Sequence, residues 1–349
     1  MSLEHIKPTE NIITARETHA NAIKNLGAMT TLPSDEGMRA LFKTMLTIRR
    51  FEERAWKSAK EGKSLPIHPY TGHEAVSTGI CSLLNNTDKI IVNHRPYGHY
   101  IAKGGSLDRA MAELYGKRTG VNAGIGGELY LSDPSIGYIT SDMIVAACIT
   151  IATGVGLSMK LQKTDDVVVC FFGEAATTNG AYHEAMIMAS LYKIPVLFVC
   201  ENNGYSTNTP AIEFKTNELV SPQAAGYGFP VNTIDGTDVL VVRDAGQKAL
   251  WHIRNNKTPY FLEALVPRIG AHKQQLVEAR PDDRILYANM RDPILKYKSV
   301  LISNGLMSYL DAAYIESDIS NEINNAVTFA ERDTALTIDE LRAYMGPTP

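Results

Sequence analysis

The stretch Asp166-Val-Val-Val-Cys-Phe-Phe-Gly173, followed by Ile194-Pro-Val-Leu-Phe-Val-Cys200, decides the fold class. Each run is short, β-branched or aromatic and almost free of polar residues, the pattern of a strand buried on both faces. Between them, Asn179 to Tyr192 places Tyr182, Ala185, Met186 and Ala189 at helical spacing. Strand, helix and strand within about 35 residues form a βαβ unit, whose strands are parallel and whose crossover is right-handed. A further apolar run, Tyr260 to Val266, reads as another strand. The expected fold is α/β, a mainly parallel sheet with helices on both faces, followed by a helical C-terminal segment.

Outward from this centre, Ser34 opens an amphipathic helix in which Met38, Leu41, Phe42 and Met45 repeat at three- and four-residue spacing. A second helix is expected near Gly72–Leu84. The apolar segment Met143 to Leu157 is too short and too polar to span a bilayer and reads as a buried helix. The last seventy-odd residues read as helices, broken near Asp292-Pro293 and Gly346-Pro347. The chain divides into an N-terminal arm at 1–34, an α/β domain at 35–270 and a loop with helical extension at 271–349.

Composition narrows the function. The 349 residues are 44% hydrophobic and 21% charged, enough for a large core without disulfides. The net charge of −4, without a basic stripe, argues against a nucleic-acid partner. Cys81, Cys148, Cys170 and Cys200 lie singly in apolar runs and read as reduced core thiols. With no apolar leader at the polar N-terminus, a soluble, cytoplasmic protein with no membrane partner is expected. Gly124, Gly126 and Gly127 lack the dinucleotide fingerprint and its strand.

In a parallel sheet, ligands sit beyond the carboxyl ends of the strands. Here Gly173-Glu174-Ala175-Ala176 ends one strand and Glu201-Asn202-Asn203-Gly204-Tyr205 ends the next. A carboxylate, an amide and a backbone carbonyl are hard oxygen ligands; two phosphate oxygens and a water would complete a magnesium octahedron. Ordinary polar loop caps explain the same residues equally well.

The pattern GEAATTNG, then KIPVLFVCENNGY, resembles the thiamine diphosphate motif, commonly Gly-Asp-Gly with Asn-Asn about thirty residues later. Its surroundings include Gly72-His-Glu-Ala75, His94-Arg-Pro-Tyr-Gly-His99, Gly124-Ile-Gly-Gly127 and Arg268-Ile-Gly-Ala-His272. From about Leu41 to Gly305 the chain resembles the alpha subunit of the thiamine diphosphate-dependent, decarboxylating first component of 2-oxo acid dehydrogenase and acetoin dehydrogenase complexes.

The resemblance implies a thiamine diphosphate-binding fold, with thiamine diphosphate and magnesium (Mg2+) as cofactors. It implies Glu174, Asn203 and the Tyr205 carbonyl as metal ligands. It implies cofactor contacts from His94, Arg95, Val145, Gly173, Ala175, Ala176, Arg268 and His272, with Ala175 and Ala176 at the start of a helix whose dipole favours anions. His68 and His272 take the catalytic positions. Glu174 stands for the usual Asp, Ala175 for the second glycine, and His94 where a tyrosine is usual. The resemblance further implies a beta-type subunit that supplies the activating glutamate in a heterotetramer, and a lipoyl acyltransferase or another acceptor for the fragment from a small-molecule substrate.

Two other functions stay open: a thiamine-dependent carboligase, and a non-catalytic partner subunit. His5, His19, His183 and His252 read as surface or helix residues, His73 and His99 as helix-start polar residues, and Met186 and Met188 as core.

Overall fold

The computed structural model describes residues 31–344. The arm expected at 1–34 lies outside them except for its last four residues, and so does the break at Gly346-Pro347. The chain begins with α1 (Asp35–Lys60), α2 (Glu74–Cys81), β1 (Lys89–Val92), α3 (Pro96–Ala102), α4 (Leu107–Leu114), β2 (Tyr138–Ser141) and α5 (Ala147–Gln162). The centre holds β3 (Val168–Gly173), α6 (Gly180–Leu191), β4 (Val196–Asn202), a short hairpin of β5 (Tyr205–Ser206) and β6 (Thr209–Pro210), and α7 (Ser221–Ala225). Then come β7 (Val231–Asp235), α8 (Val239–Asn256), β8 (Tyr260–Leu265), α9 (Asp282–Met290), α10 (Pro293–Ser303), α11 (Tyr309–Arg332) and α12 (Ile338–Tyr344).

The main sheet has six parallel strands in the order β2-β1-β3-β4-β8-β7. The central strand β3 shows why helices cover both faces. Val169 and Phe171 point into one hydrophobic cluster, whereas Val168, Cys170 and Phe172 point into the other. Alternation sends successive side chains to opposite faces, and with both sets apolar neither face tolerates water. The first cluster is completed by α1, α2 and α8, the second by α5 and α6.

Ser34 caps α1, its hydroxyl accepting the Gly37 N–H at 3.2 Å. Asp292 caps α10 through the Ile294 and Leu295 amides, so the expected break before Pro293 is a helix start. Tyr297, Leu301, Ile319 and Ile323 of the C-terminal helices share one cluster with Met45 and Phe51 of α1. All four cysteines are buried and free. Among the described residues, no helix is long and apolar enough to cross a membrane.

Two expectations need correction. The segment Met143–Leu157 is helical only from Ala147; Ala146, at φ +70°, turns the chain before the helix starts. Met143, Ile144 and Val145 are therefore outside the helix, with 49%, 60% and 57% of their surface exposed. Finally, Met186 is buried but Met188 is 37% exposed, because two positions along a helix point away from each other.

Candidate active site

The parallel register sets Gly173 opposite Glu201, so the residues that follow β3 and β4 emerge side by side. Glu174 opens a 3-10 turn, Glu174–Thr178, rather than the α-helix expected at Ala175 and Ala176. The Thr177 and Thr178 hydroxyls donate back to the carbonyls of Glu174 and Ala175 at 2.8 and 2.9 Å, which tightens the turn. Asn179 is the better cap, accepting the Ala181 N–H at 2.9 Å, and α6 starts only at Gly180. Ala175 and Ala176 thus present turn amides, not the first turn of a long helix.

The Asn203 N–H donates to Glu174 Oε2 at 3.3 Å, and the Tyr205 N–H donates to Asn203 Oδ1 at 3.1 Å. Glu174 Oε1 is buried without a partner. Burial pushes this carboxyl up to about 7, against the pull of the Asn203 amide and the Lys215 charge. Among the described residues, no three His, Cys, Asp or Glu side chains gather as a metal site. An ion here must draw on the carboxylate, neutral oxygens and a ligand's own oxygens.

From β1 the chain turns through Asn93, whose Oδ1 accepts the Arg95 N–H at 3.0 Å. Buried Arg95 donates to the Pro69 carbonyl and, at 3.2 Å, to His272 Nδ1. Burial lowers its guanidinium to about 10, partly offset by Glu52, Glu201 and Glu174. Because His272 Nδ1 accepts from a cation, the ring is neutral. Burial and the charge of Arg95 hold it down at about 3. His94 is held well below its ordinary value by burial and by Arg95, and its Nε2 has no partner.

His68, His94 and His272 meet as a trio, with ring centroids 5.1, 5.1 and 5.3 Å apart. Two groups that sequence reasoning left out stand beside this trio. The Glu128 carboxylate contacts His68 Nδ1, and Lys273 Nζ stands 3.4 Å from the second Glu128 oxygen. Deeper in, Tyr70 donates its hydroxyl to Glu201 Oε1, and His99 Nε2 lies 3.3 Å from the same oxygen. Burial would raise the Glu201 carboxyl, but His99, His73 and the Tyr70 hydroxyl outweigh it and hold it low. His73 and His99 are thus buried beside the site, with His73 pressed down to about 3 by burial. Glu201 had a legible signal, a charge at the end of an apolar strand. Glu128 had none, since its neighbours come from distant loops.

The predicted residues His68, His94, Arg95, Val145, Gly173, Glu174, Ala175, Ala176, Asn203, Tyr205 and His272 all line one cavity of about 380 Å³. Arg268 does not. It is buried behind the wall, 5.7 Å from the Tyr205 ring centroid, with all three guanidinium nitrogens unpaired. The Val145 carbonyl accepts from Asn179 Nδ2 at 3.4 Å.

The fold and this strand-end cavity define a class. Residues 42–339 match the family model described as dehydrogenase E1 component, and the chain belongs to that family of thiamine diphosphate-dependent enzymes. It is 35% identical over 313 residues to the alpha subunit of acetoin:2,6-dichlorophenolindophenol oxidoreductase of Bacillus subtilis (strain 168), covering 87% of this chain and 93% of that one. It is 31% identical to the pyruvate dehydrogenase E1 component subunit alpha of Porphyra purpurea, covering 87% and 91%. Against the corresponding subunit of Rhizobium meliloti (strain 1021) the figures are 30% identity, 94% and 96%.

Proposed function

We propose that this chain is the alpha half of a thiamine diphosphate-dependent enzyme acting on a 2-oxo acid or acetoin, with a magnesium diphosphate held at the ends of β3 and β4. The observation that carries this reading is an unmet carboxylate oxygen on the cavity wall. Glu174 Oε1 is buried without a partner, and it lines the cavity together with Asn203, Tyr205 and Arg95. Leaving such an oxygen unpaired away from water is costly, and a metal diphosphate held in the cavity would meet that need.

The donor chemistry fits. Glu174, Asn203 Oδ1 and the Tyr205 carbonyl would hold the metal as hard oxygens. Arg95 and His94 would face the diphosphate, with backbone contacts at Gly173, Ala175 and Ala176 and a backbone contact from Val145 to the aminopyrimidine. When bound, thiamine diphosphate supplies the carbanion chemistry that cleaves the bond beside a 2-oxo group. His68 holds or passes a proton at the cavity wall, whereas His272, neutral and fixed by Arg95, orients and accepts. The cofactor-binding part is assigned to 35–270, and the extension at 271–349 contributes His272.

A beta-type subunit would close the site and supply the activating glutamate in a heterotetramer. The half-exposed Met143, Ile144 and Val145 at the cavity suit such an apolar cover. A lipoyl acyltransferase is the natural acceptor of the fragment. Four buried free thiols suit a reducing cytoplasm. The test is to purify the chain with a co-expressed beta-type subunit and titrate thiamine diphosphate with and without Mg2+ by calorimetry. Pyruvate and acetoin turnover would then be measured. Metal-independent binding, or none, would overturn the reading; binding without turnover would leave only a scaffold subunit.

A further inference from the structure

We infer that Glu128 is a positioning residue for His68, a carboxylate delivered by a purpose-built loop to fix the tautomer and orientation of that imidazole. The inference rests on the reading above for the part His68 plays in turnover, but not for the contact itself. Glu128 is 8% exposed and its Oε1 meets His68 Nδ1. An ionised carboxylate only accepts, so Nδ1 carries the hydrogen and Nε2 is the nitrogen left for the cavity.

The backbone around Glu128 is clamped on both sides. Before it, the Tyr97 hydroxyl donates to the Gly127 carbonyl at 2.7 Å, and the Gly127 N–H donates to buried Glu113 at 2.8 Å. Glu113 also takes the Asn122 and Gly124 N–H groups at 2.7 and 3.0 Å. After it, the Ser141 hydroxyl donates to the Leu129 carbonyl at 2.7 Å. A loop merely covering the cavity would not need its end held at three points.

The groups facing His68 are His94 and His272 at its edges and Glu128 at Nδ1, with Lys273 and Arg95 one contact further. Of these, only Glu128 brings a negative charge. Remove it and the imidazole faces two rings and two cations.

The experiment compares the wild-type full chain with Glu128→Gln and Glu128→Asp. Histidine C2-hydrogen exchange, followed by mass spectrometry across pH, reads each ring separately and needs neither cofactor nor activity. Glu128→Gln keeps the shape and drops the charge; the exchange rate of its His68 ring departs from wild type. His94 and His272 stay put. Glu128→Asp restores much of the wild-type profile. In the complex with its beta-type partner, Glu128→Gln lowers kcat by about 10- to 100-fold with KM little changed. An unchanged His68 exchange rate, or an equal change in all three rings, would overturn the inference. Normal exchange shifts in a chain that binds no thiamine diphosphate would instead overturn the function proposed for the site and leave the Glu128 contact standing.

Discussion

Asn203 donates its backbone N–H to Glu174 Oε2 at 3.3 Å across the ends of two neighbouring strands, while the other Glu174 oxygen has no partner. One oxygen is thus anchored and the other is not. Glu174→Gln should keep the Asn203 contact yet lose Mg2+-dependent retention of thiamine diphosphate. Calorimetry with and without the ion checks this, and undiminished metal-dependent binding would remove Glu174 from the metal site.

Arg95 and His272 share a hydrogen bond but should separate in kinetics. Losing a charge-assisted contact to phosphate costs about 1.5–3 kcal/mol, so Arg95→Ala should weaken cofactor binding by roughly 10- to 150-fold. His272→Gln should leave affinity nearly intact and cut turnover. Since His272 is held at about 3, its ring stays neutral from pH 5 to 9, and its C2-hydrogen exchange should be flat there. A midpoint near neutrality would contradict the neutral assignment.

Glu52 gives a pH-dependent stability signature away from the cavity lining. It accepts both contacts of the Tyr70 N–H, and burial raises its carboxyl from 4.5 to about 8. The folded chain keeps a proton here that the unfolded chain has released, so stability is full below pH 4.5 and falls as pH rises through 8. Each unit of that window costs up to about 1.4 kcal/mol. Glu52→Gln needs no proton and should exceed the wild type in urea midpoint at pH 9 but not at pH 5. An advantage appearing only at low pH would show the sign is wrong.

Gly72 tests how the His68–Tyr70 segment is held. It sits at φ +101°, and a Cβ there would lie 2.1 Å from the Pro267 carbonyl oxygen. That carbonyl cannot yield, because the next residues pair with the segment through Ile269 N–H to Thr71 O at 3.1 Å. Gly72→Ala should cost about 3 kcal/mol or more, combining strain and overpacking. Gly62, at φ +71° with open space around it, is the control and should cost about 1–2 kcal/mol as alanine. Equal losses in denaturant melts would refute the steric argument.

The central β3-α6-β4 unit was legible because burial on both faces leaves a continuous apolar run. Strands β1, β2 and β7 were not: the first two have four residues each, and β7 is a partly exposed edge strand. Too few residues separate them from loops. The helix expected at Ala175 failed for a local reason, since two threonine hydroxyls hold a tighter turn.

By itself, the sequence determined the α/β class, the parallel crossover and the neighbourhood of Glu174 and Asn203, because periodicity and strand ends are local properties. Its motifs also named the family. Only the tertiary structure decided which distant groups meet. It gathered the three histidines from the loops after α1 and β1 and from the loop after β8, set Glu128 against His68, and buried Arg268 behind Tyr205 rather than on the cavity wall. Contacts between loops depend on where the sheet ends its strands and how each loop is clamped, and no spacing along the chain encodes that.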